Sequence, residues 1–378
     1  MAGGGTGGHI SPVLAVCDEL KKIDPDVDLS YVGTSSGLER KIVQAHGLNF
    51  YAISAGKYRR YNRGLLKSLL DIKTVTLNAK DLIRFINGIF QSYKLISKLK
   101  PHIIFIKGGF VGLPVGLAAK LLRVAYIIHE SDAVFGLTNK LLSKSAAKIA
   151  TMFPEDAIKA DIDKHKLVRT GIPIREAFLN PDPQRFFKTA GLAEGPIITV
   201  VGGSQGSHNI NTLIEQSLEQ LLNKFAVVHV TGEREKAHFD SLKQNLSSEL
   251  AGKYYPYGFL GQEIADIFAA SDLIVSRAGA TFITEISTIG RPLILIPLTT
   301  SAGGHQDVNA RILGRNRAAI LLDERRLTAE KLVEQIDQVV TSPELSAELV
   351  ANQAQFASRN ATRKLAELVF NEGLENVR

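Results

Sequence analysis

The chain has 378 residues, 45% of them hydrophobic and 22% charged, with one cysteine and a formal net charge of +7. That length exceeds one ordinary core and suits two domains, and a lone Cys17 excludes an internal disulfide. The longest uncharged apolar-leaning run, 292–304, is broken by proline and falls short of the roughly 20 residues of a membrane span, and no charged-then-apolar leader opens the sequence, so the expected setting is reducing and cytoplasmic.

The first marker along the chain is a glycine loop, Gly3-Gly4-Gly5-Thr6-Gly7-Gly8-His9, followed by a helix-like stretch. Glycine suits such a turn because it tolerates unusual dihedrals and close backbone approach, while the N–H groups and dipole at a helix start attract an anion. A loop of this kind follows a buried strand, yet only Met1 and Ala2 precede it. The first strand of the first sheet is therefore expected to be missing, because the reading frame starts too late, the chain was trimmed, or another segment fills the slot. Losing a central parallel strand removes burial that rivals the about 5–15 kcal/mol stability of a whole domain. Downstream, residues 29–33, 50–54, 103–106 and 125–128 read as strands and 75–99 as helix, an alternation that implies a parallel sheet.

Charge is unevenly divided. Residues 1–172 hold 25 Lys and Arg against 14 Asp and Glu, and residues 173–378 hold 20 against 24. The densest basic segment carries Lys57, Arg59, Arg60, Arg63 and Lys67, interleaved with Tyr58, Tyr61, Leu65 and Leu66 and without an acid, a pattern suited to an anionic membrane surface. Lys140, Lys144 and Lys148 would form one stripe if the helix beginning near Leu137 extends that far, with a plain solvated face as the competing reading. Nucleic acid is not an expected partner, since no recognition helix or RNA-binding motif accompanies the charge.

Glycine and proline interrupt both patterns near 170–175, which marks the joint between two αβ halves. In the second half, strands are expected at 197–201, 226–230, 273–276 and 293–296, with a helical tail from about 346 to 370. The apolar run 196–201 leads into a second glycine loop, Gly202-Gly203-Ser204-Gln205-Gly206-Ser207-His208, which agrees with the first at four of seven positions. The expected fold class is α/β, with two facing Rossmann-like domains, 1–172 and 173–354, parallel sheets, a ligand cleft between them, and a C-terminal helix of about 355–378 packing back on the first.

Several motifs then occur in order: Gly4-Gly5-Thr6-Gly7-Gly8-His9, Lys107-Gly108-Gly109-Phe110, His129-Glu130, Gly136-Leu137-Thr138-Asn139, Gly202-Gly203-Ser204-Gln205-Gly206, Ser276-Arg277-Ala278-Gly279-Ala280 with Glu285, and His305-Gln306 with Asn309-Ala310. Together, over nearly the whole chain, they resemble the MurG family of bacterial glycosyltransferases, which add N-acetylglucosamine from its UDP derivative to undecaprenyl-pyrophosphoryl-N-acetylmuramoyl-pentapeptide. The resemblance implies a GT-B fold, an inverting mechanism without cofactor or obligatory metal, a role in peptidoglycan synthesis, and peripheral attachment to the cytoplasmic membrane face. It makes 1–172 the acceptor and membrane domain and 173–354 the UDP-sugar domain.

On that reading Ser204, Gln205 and Gly206 open a helix where a diphosphate accepts N–H bonds, and Arg175 adds charge-assisted ones. Glu285, on the helix that Ala280 begins, takes the ribose hydroxyls, and His305 and Gln306 reach the sugar. Thr6, Gly7, Gly8, His129 and Asn139 are the acceptor-binding candidates. His9 is the first candidate for the general base, with Glu130 the alternative; His208 matches His9 by position and is read as peripheral. Two departures from the family stand out: Ser131-Asp132 replaces Gln-Asn, putting an acid beside the expected acceptor pyrophosphate site, and the segment 53–60 is more basic than usual. A nicotinamide oxidoreductase would leave the second-half motifs unexplained. A non-catalytic sugar-nucleotide binder would have no use for His9, His129 and Glu130, and another lipid-acceptor glycosyltransferase or a UDP-sugar epimerase is the nearest rival.

Overall fold

The computed structural model describes residues 1–3, 7–34, 37–56, 72–158, 160–190, 195–203 and 206–376. The chain divides into two compact units, one of Met1–Ser131, Phe135–Pro173 and Asn360–Arg378, the other of Asp132–Val134 and Ile174–Arg359.

The first unit holds β1 (Ser30–Gly33), β2 (Asn49–Ala52), β3 (Ile104–Ile106), β4 (Tyr126–Glu130), β5 (Lys148–Thr151) and β6 (Leu167–Arg169). β1 pairs with β2, and β3 to β6 form a ladder in sequence order, every pair parallel. Between β1 and β3 run Met1 and Ala2. Ala2 bridges Val32 on one flank and Ile106 on the other. Its N–H donates to Phe105 O at 2.7 Å and its carbonyl accepts from Lys107 N at 2.9 Å, while Val32 N donates to Met1 O at 2.8 Å. Ala2 thus occupies the position between β1 and β3 as an isolated bridge rather than a strand, bonded to both neighbours in the parallel manner.

Strand alternation sends this sheet's side chains to two cores. Phe105, Ile127 and Tyr31 meet Val13, Val16, Cys17 and Leu20 of the helix Gly7–Ile23 and Leu365 and Val369 of the helix Ala361–Glu375. Ile104, Ile106, Tyr126 and Ile128 meet Val111, Val115 and Ala118 of the helix Gly109–Leu122. Cys17 is fully buried, and burial pushes its thiol up to about 11.

The second unit is one six-stranded parallel sheet in the order β12-β11-β10-β7-β8-β9. Its strands are β7 (Ile197–Val201), β8 (Ala226–Val230), β9 (Tyr254–Tyr257), β10 (Leu273–Ser276), β11 (Leu293–Leu295) and β12 (Ile320–Leu321). Central β7 is wholly buried, and Ile198 and Val200 pack on Ile210, Ile214, Leu218 and Leu221 of the helix His208–Leu222. In β8, His229 is fully buried; its Nε2–H donates to Asn211 Oδ1 at 3.1 Å and its Nδ1 accepts from the Tyr254 hydroxyl at 2.9 Å. Burial lowers this ring to about 3, so it is neutral at pH 7.

Two sequence expectations are corrected. The helix Leu137–Leu142 ends before Lys144, and Lys148 begins β5, so the three lysines form no stripe. The tail is not one helix but two, Pro343–Gln353 and Ala361–Glu375. Among the described residues no helix is long and apolar enough to cross a membrane. The basic segment 57–67 lies outside the described residues.

Candidate active site

The first glycine loop leaves Ala2 and leads into the helix Gly7–Ile23, whose first turn contains Gly7, Gly8 and His9. Thr6 lies outside the described residues. In the same unit, β4 delivers His129 and Glu130, both buried, at its C-terminal end. Parallel α/β sheets place ligands at that end of their strands.

His129 is committed to its own unit. Lys107 Nζ donates to its Nδ1 at 2.7 Å and to Ser131 Oγ at 2.5 Å. With Nδ1 accepting, Nε2 carries the proton and donates to Gly171 O at 2.9 Å. Burial, then the Lys107 charge, holds this ring well below the usual histidine value, so it is neutral at pH 7. Glu130 organises the loop that follows: one oxygen accepts from Ser131 N at 2.9 Å, the other from Gly136 N and Asn139 Nδ2, each at 2.9 Å. Asn139 Nδ2 also donates to His129 O, while its Oδ1 is buried without a hydrogen-bond partner among the described residues. The acceptor-side candidates His129, Glu130 and Asn139 therefore come together as one network that fixes the segment from 129 to 139.

In the second unit, β7 ends at the second glycine loop. Gly203 and Gly206 have φ of +100° and +78°, and a Cβ on Gly206 would lie 2.1 Å from Thr231 O, so only glycine fits that turn. Ser204 and Gln205 lie outside the described residues. Arg277 clamps the loop from β10: Nη2 donates to Ser207 Oγ at 2.6 Å and pairs with Glu324, and Nη1 donates to Ile296 O at 3.0 Å. Neither Ser207 nor Arg277 was assigned a role from sequence, although both stand inside the motifs.

Arg175 and Glu285, 110 residues apart, meet directly. Arg175 Nε donates to Glu285 Oε1 at 2.9 Å and Nη2 to Oε2 at 3.1 Å, while Nη1 donates to Gly261 O at 3.1 Å. The guanidinium is therefore spent on the carboxylate and a carbonyl. Glu285 sits on the buried side of the helix Ala280–Ile289, which Ala280 begins. Burial pushes its carboxyl above the usual range, and Arg175 opposes that shift.

His305 begins the helix His305–Arg315, with Nδ1 3.1 Å from Asp132 Oδ1. Gln306 Oε1 accepts from Leu298 N at 2.9 Å. Buried Asn309 donates from Nδ2 to Asp132 Oδ1 at 2.8 Å and to Ala278 O at 3.2 Å, and accepts from Ala133 N at 3.0 Å. The acid at position 132 is bound to His305 and Asn309. The dipeptide Ser131-Asp132 was conspicuous in sequence, but the partners of Asp132, more than 170 residues on, were not.

Comparison with known proteins gives concordant results. Residues 1–151 match the glycosyltransferase family 28 N-terminal domain and residues 197–368 the family's C-terminal domain. The chain is 35% identical over 375 residues to the UDP-N-acetylglucosamine–N-acetylmuramyl-(pentapeptide) pyrophosphoryl-undecaprenol N-acetylglucosamine transferase of Clostridium botulinum, covering 98% of this chain and 97% of that protein. A second enzyme of that name from Bacillus cereus is 35% identical over 347 residues, covering 91% and 92%. The crystal structure of Acinetobacter baumannii MurG superposes with a TM-score of 0.74 at 26% identity, covering 98% of both chains.

Proposed function

We infer function from membership: the chain belongs to glycosyltransferase family 28 and, within it, to the MurG family of N-acetylglucosamine transferases. The fold is of the GT-B class, and the chain is an enzyme that moves N-acetylglucosamine from UDP-N-acetylglucosamine to undecaprenyl-pyrophosphoryl-N-acetylmuramoyl-pentapeptide, making the lipid-linked disaccharide precursor of peptidoglycan. The 35% identity over 98% of the chain carries this conclusion. Incubation with UDP-N-acetylglucosamine and a soluble analogue of the lipid acceptor should yield free UDP and an acceptor heavier by one N-acetylglucosamine residue in mass analysis. No such product from folded protein overturns it.

The assignment of roles is our reading of the site. His9, in the first turn of a helix that leaves the first glycine loop, takes the proton of the acceptor hydroxyl as that oxygen attacks the sugar's anomeric carbon. The bond to UDP breaks, and the leaving diphosphate is held by backbone N–H groups of the second glycine loop and the start of the helix His208–Leu222. Glu285 accepts the ribose hydroxyls through lone pairs that Arg175 leaves open, since an ionised carboxylate offers about four acceptor positions. Arg175 thereby acts on the nucleotide through Glu285: it keeps that buried carboxyl ionised and oriented. His305 and Gln306 face the sugar, with Asp132 setting the His305 ring. Glu130, whose oxygens already accept three hydrogen bonds, shapes the acceptor loop, and His9 remains the base.

His9→Ala should lower kcat by roughly 10²- to 10⁴-fold while UDP-sugar binding, read by calorimetry, stays near normal. Glu130→Gln should keep measurable kcat and loosen the 131–139 backbone in hydrogen exchange. An inactive Glu130→Gln beside a near-normal His9→Ala reverses the two roles.

Membrane attachment at the acceptor side is supported by the helix Ile72–Leu99. Leu82, Ile83, Ile86 and Phe90 lie along one exposed face, 58%, 61%, 44% and 65% accessible, with Lys80, Arg84 and Lys94 nearby. Such a face buries apolar area in a bilayer surface while its cations meet anionic headgroups. Vesicles containing anionic lipid should bind the chain in a salt-sensitive way, and replacing those four apolar residues by serine should abolish binding. Unchanged binding by that variant removes the helix from the contact.

A further inference from the structure

Strands β7, β10, β11 and β12 stand side by side in the second unit, and one side chain joins the segments that follow all four. Arg277 directly follows β10. Its Nη1 donates at 3.0 Å to the carbonyl of Ile296, which directly follows β11, while Nη2 donates at 2.6 Å to Ser207 Oγ beyond β7 and pairs with Glu324 beyond β12. Glu324 in turn accepts from Asn209 Nδ2 at 2.9 Å, so the ion pair also holds the first turn of the helix His208–Leu222. Burial pushes the Glu324 carboxyl up, but hydrogen bonds from Arg277 and Asn209 and the Arg277 charge hold it below the usual range, so it is ionised at pH 7. A matched pair of charges adds no net charge to this edge of the sheet. What it supplies is geometry.

Ser207 is the N-cap of the helix, and its φ of −147° and ψ of 105° are the extended backbone from which a serine ordinarily accepts the N–H two or three residues on. Elsewhere in the unit Ser247, Thr328 and Ser342 do so, accepting from Leu250, Lys331 and Leu345 N at 3.4, 3.2 and 3.3 Å. Ser207 makes no such bond. Its oxygen is turned to Arg277 instead, and the first N–H groups of a 15-residue helix are left without a side-chain cap. A charged guanidinium is a stronger donor than a backbone amide, so the hydroxyl stays with Arg277 as long as Glu324 fixes that fork.

We propose that Arg277 and Glu324 are positioning residues of the transferase: on the reading that the donor's diphosphate lies at this helix start, they turn the Ser207 hydroxyl away and keep the first N–H groups open for it. A capping oxygen and a phosphate oxygen compete for the same donors. Releasing the hydroxyl from Arg277 therefore closes the place that the phosphate takes. Arg277 acts through Ser207, since its guanidinium is engaged by Ser207, Glu324 and Ile296.

Calorimetry with UDP and with uridine tests this, because uridine keeps the base and ribose and lacks the diphosphate. The native chain should prefer UDP; equal affinity for both overturns the placement of the diphosphate and the proposal with it. Arg277→Met/Glu324→Leu exchanges the ion pair for apolar side chains of similar volume, a replacement that folds tolerate. It should lower the preference for UDP roughly fivefold, the size of one capping bond, with uridine affinity unchanged. Adding Ser207→Ala to that variant should restore the preference, since the competing hydroxyl is gone. With a native preference for UDP in hand, no fall in the double variant overturns the proposal, and so does a fall that Ser207→Ala leaves in place, which assigns the pair to folding alone. If the double variant does not fold by circular dichroism, Arg277→Lys takes its place: an ammonium keeps the ion pair but lacks the planar fork that also reaches Ser207. The same fall and the same recovery are then expected, and the absence of either overturns the proposal.

Discussion

β7 enters its glycine loop after five buried residues paired with β8 on one flank and β10 on the other, whereas the first loop follows Ala2, which makes a single bridge to each of β1 and β3. The same local device therefore rests on two different supports. In the second unit the ladder carries the loop, and Arg277 adds a clamp on Ser207. In the first unit a side chain takes over part of the ladder's work: the buried Tyr31 hydroxyl donates to Gly3 O at 2.6 Å, and Glu39 beside it accepts from Thr34 N and Oγ1, each at 3.0 Å. A single side-chain bond such as that to Gly3 carries its load alone, while a ladder such as that of β7 shares it.

Three measurements press on that contrast, best read unit by unit through hydrogen exchange because a two-unit chain need not unfold in one step. The largest effect is expected from Glu324→Gln. Arg277 and Glu324 side chains are each 6% exposed, and a buried guanidinium left without its anion destabilises by about 3–5 kcal/mol. Protection across 197–207 should fall accordingly while 1–34 stays unchanged. A loss confined to the loop, with the strand still protected, would show that the ladder alone holds β7. Next, Tyr31→Phe leaves the buried Gly3 carbonyl without its donor, at about 1–3 kcal/mol. The loss should appear in 1–34 only, and none at all would mean that Met1 and Ala2 suffice.

The smallest effect is a pH dependence common to both units. His129 and His229 are held below the free histidine value, so their neutral forms stabilise the fold at neutral pH. As pH falls below about 6.5 the unfolded chain takes up protons that the folded rings refuse, and stability drops by about 1.4 kcal/mol per ring per pH unit. For His229 this continues down to about 3. Urea midpoints at pH 6.5 and 5.5 measure it, and His229→Gln should remove the second unit's share. An unchanged midpoint would mean that these rings are protonated in the folded state.

Strands such as β7 and β10 were legible because buried parallel strands are unbroken apolar runs, as Ile197-Ile198-Thr199-Val200-Val201 is. β5, which begins on Lys148, and the two-residue β12 lack that signal; they exist because neighbouring strands supply their partners. The position of the second glycine loop was equally plain, since the backbone at Gly203 and Gly206 requires glycine. Pairings were not. Nothing local to Arg175 announces Glu285, and His129 reads alike whether it faces a substrate or is enclosed by Lys107 and Gly171. A motif names the residue type that a place in the fold needs, but the partners that decide its protonation arrive from distant segments.

Cys17 turns the first unit into its own recorder. It is the chain's only thiol, it faces the core from the helix that the first glycine loop begins, and burial raises it to about 11. Since the thiolate is the form that reacts, an alkylating reagent at pH 8 will be nearly blind to the closed protein and will mark each molecule once, when that core opens. The rate of marking is then a clock for one unit alone, running tenfold slower for every 1.4 kcal/mol by which the core is made harder to open. No label has to be engineered to set it going.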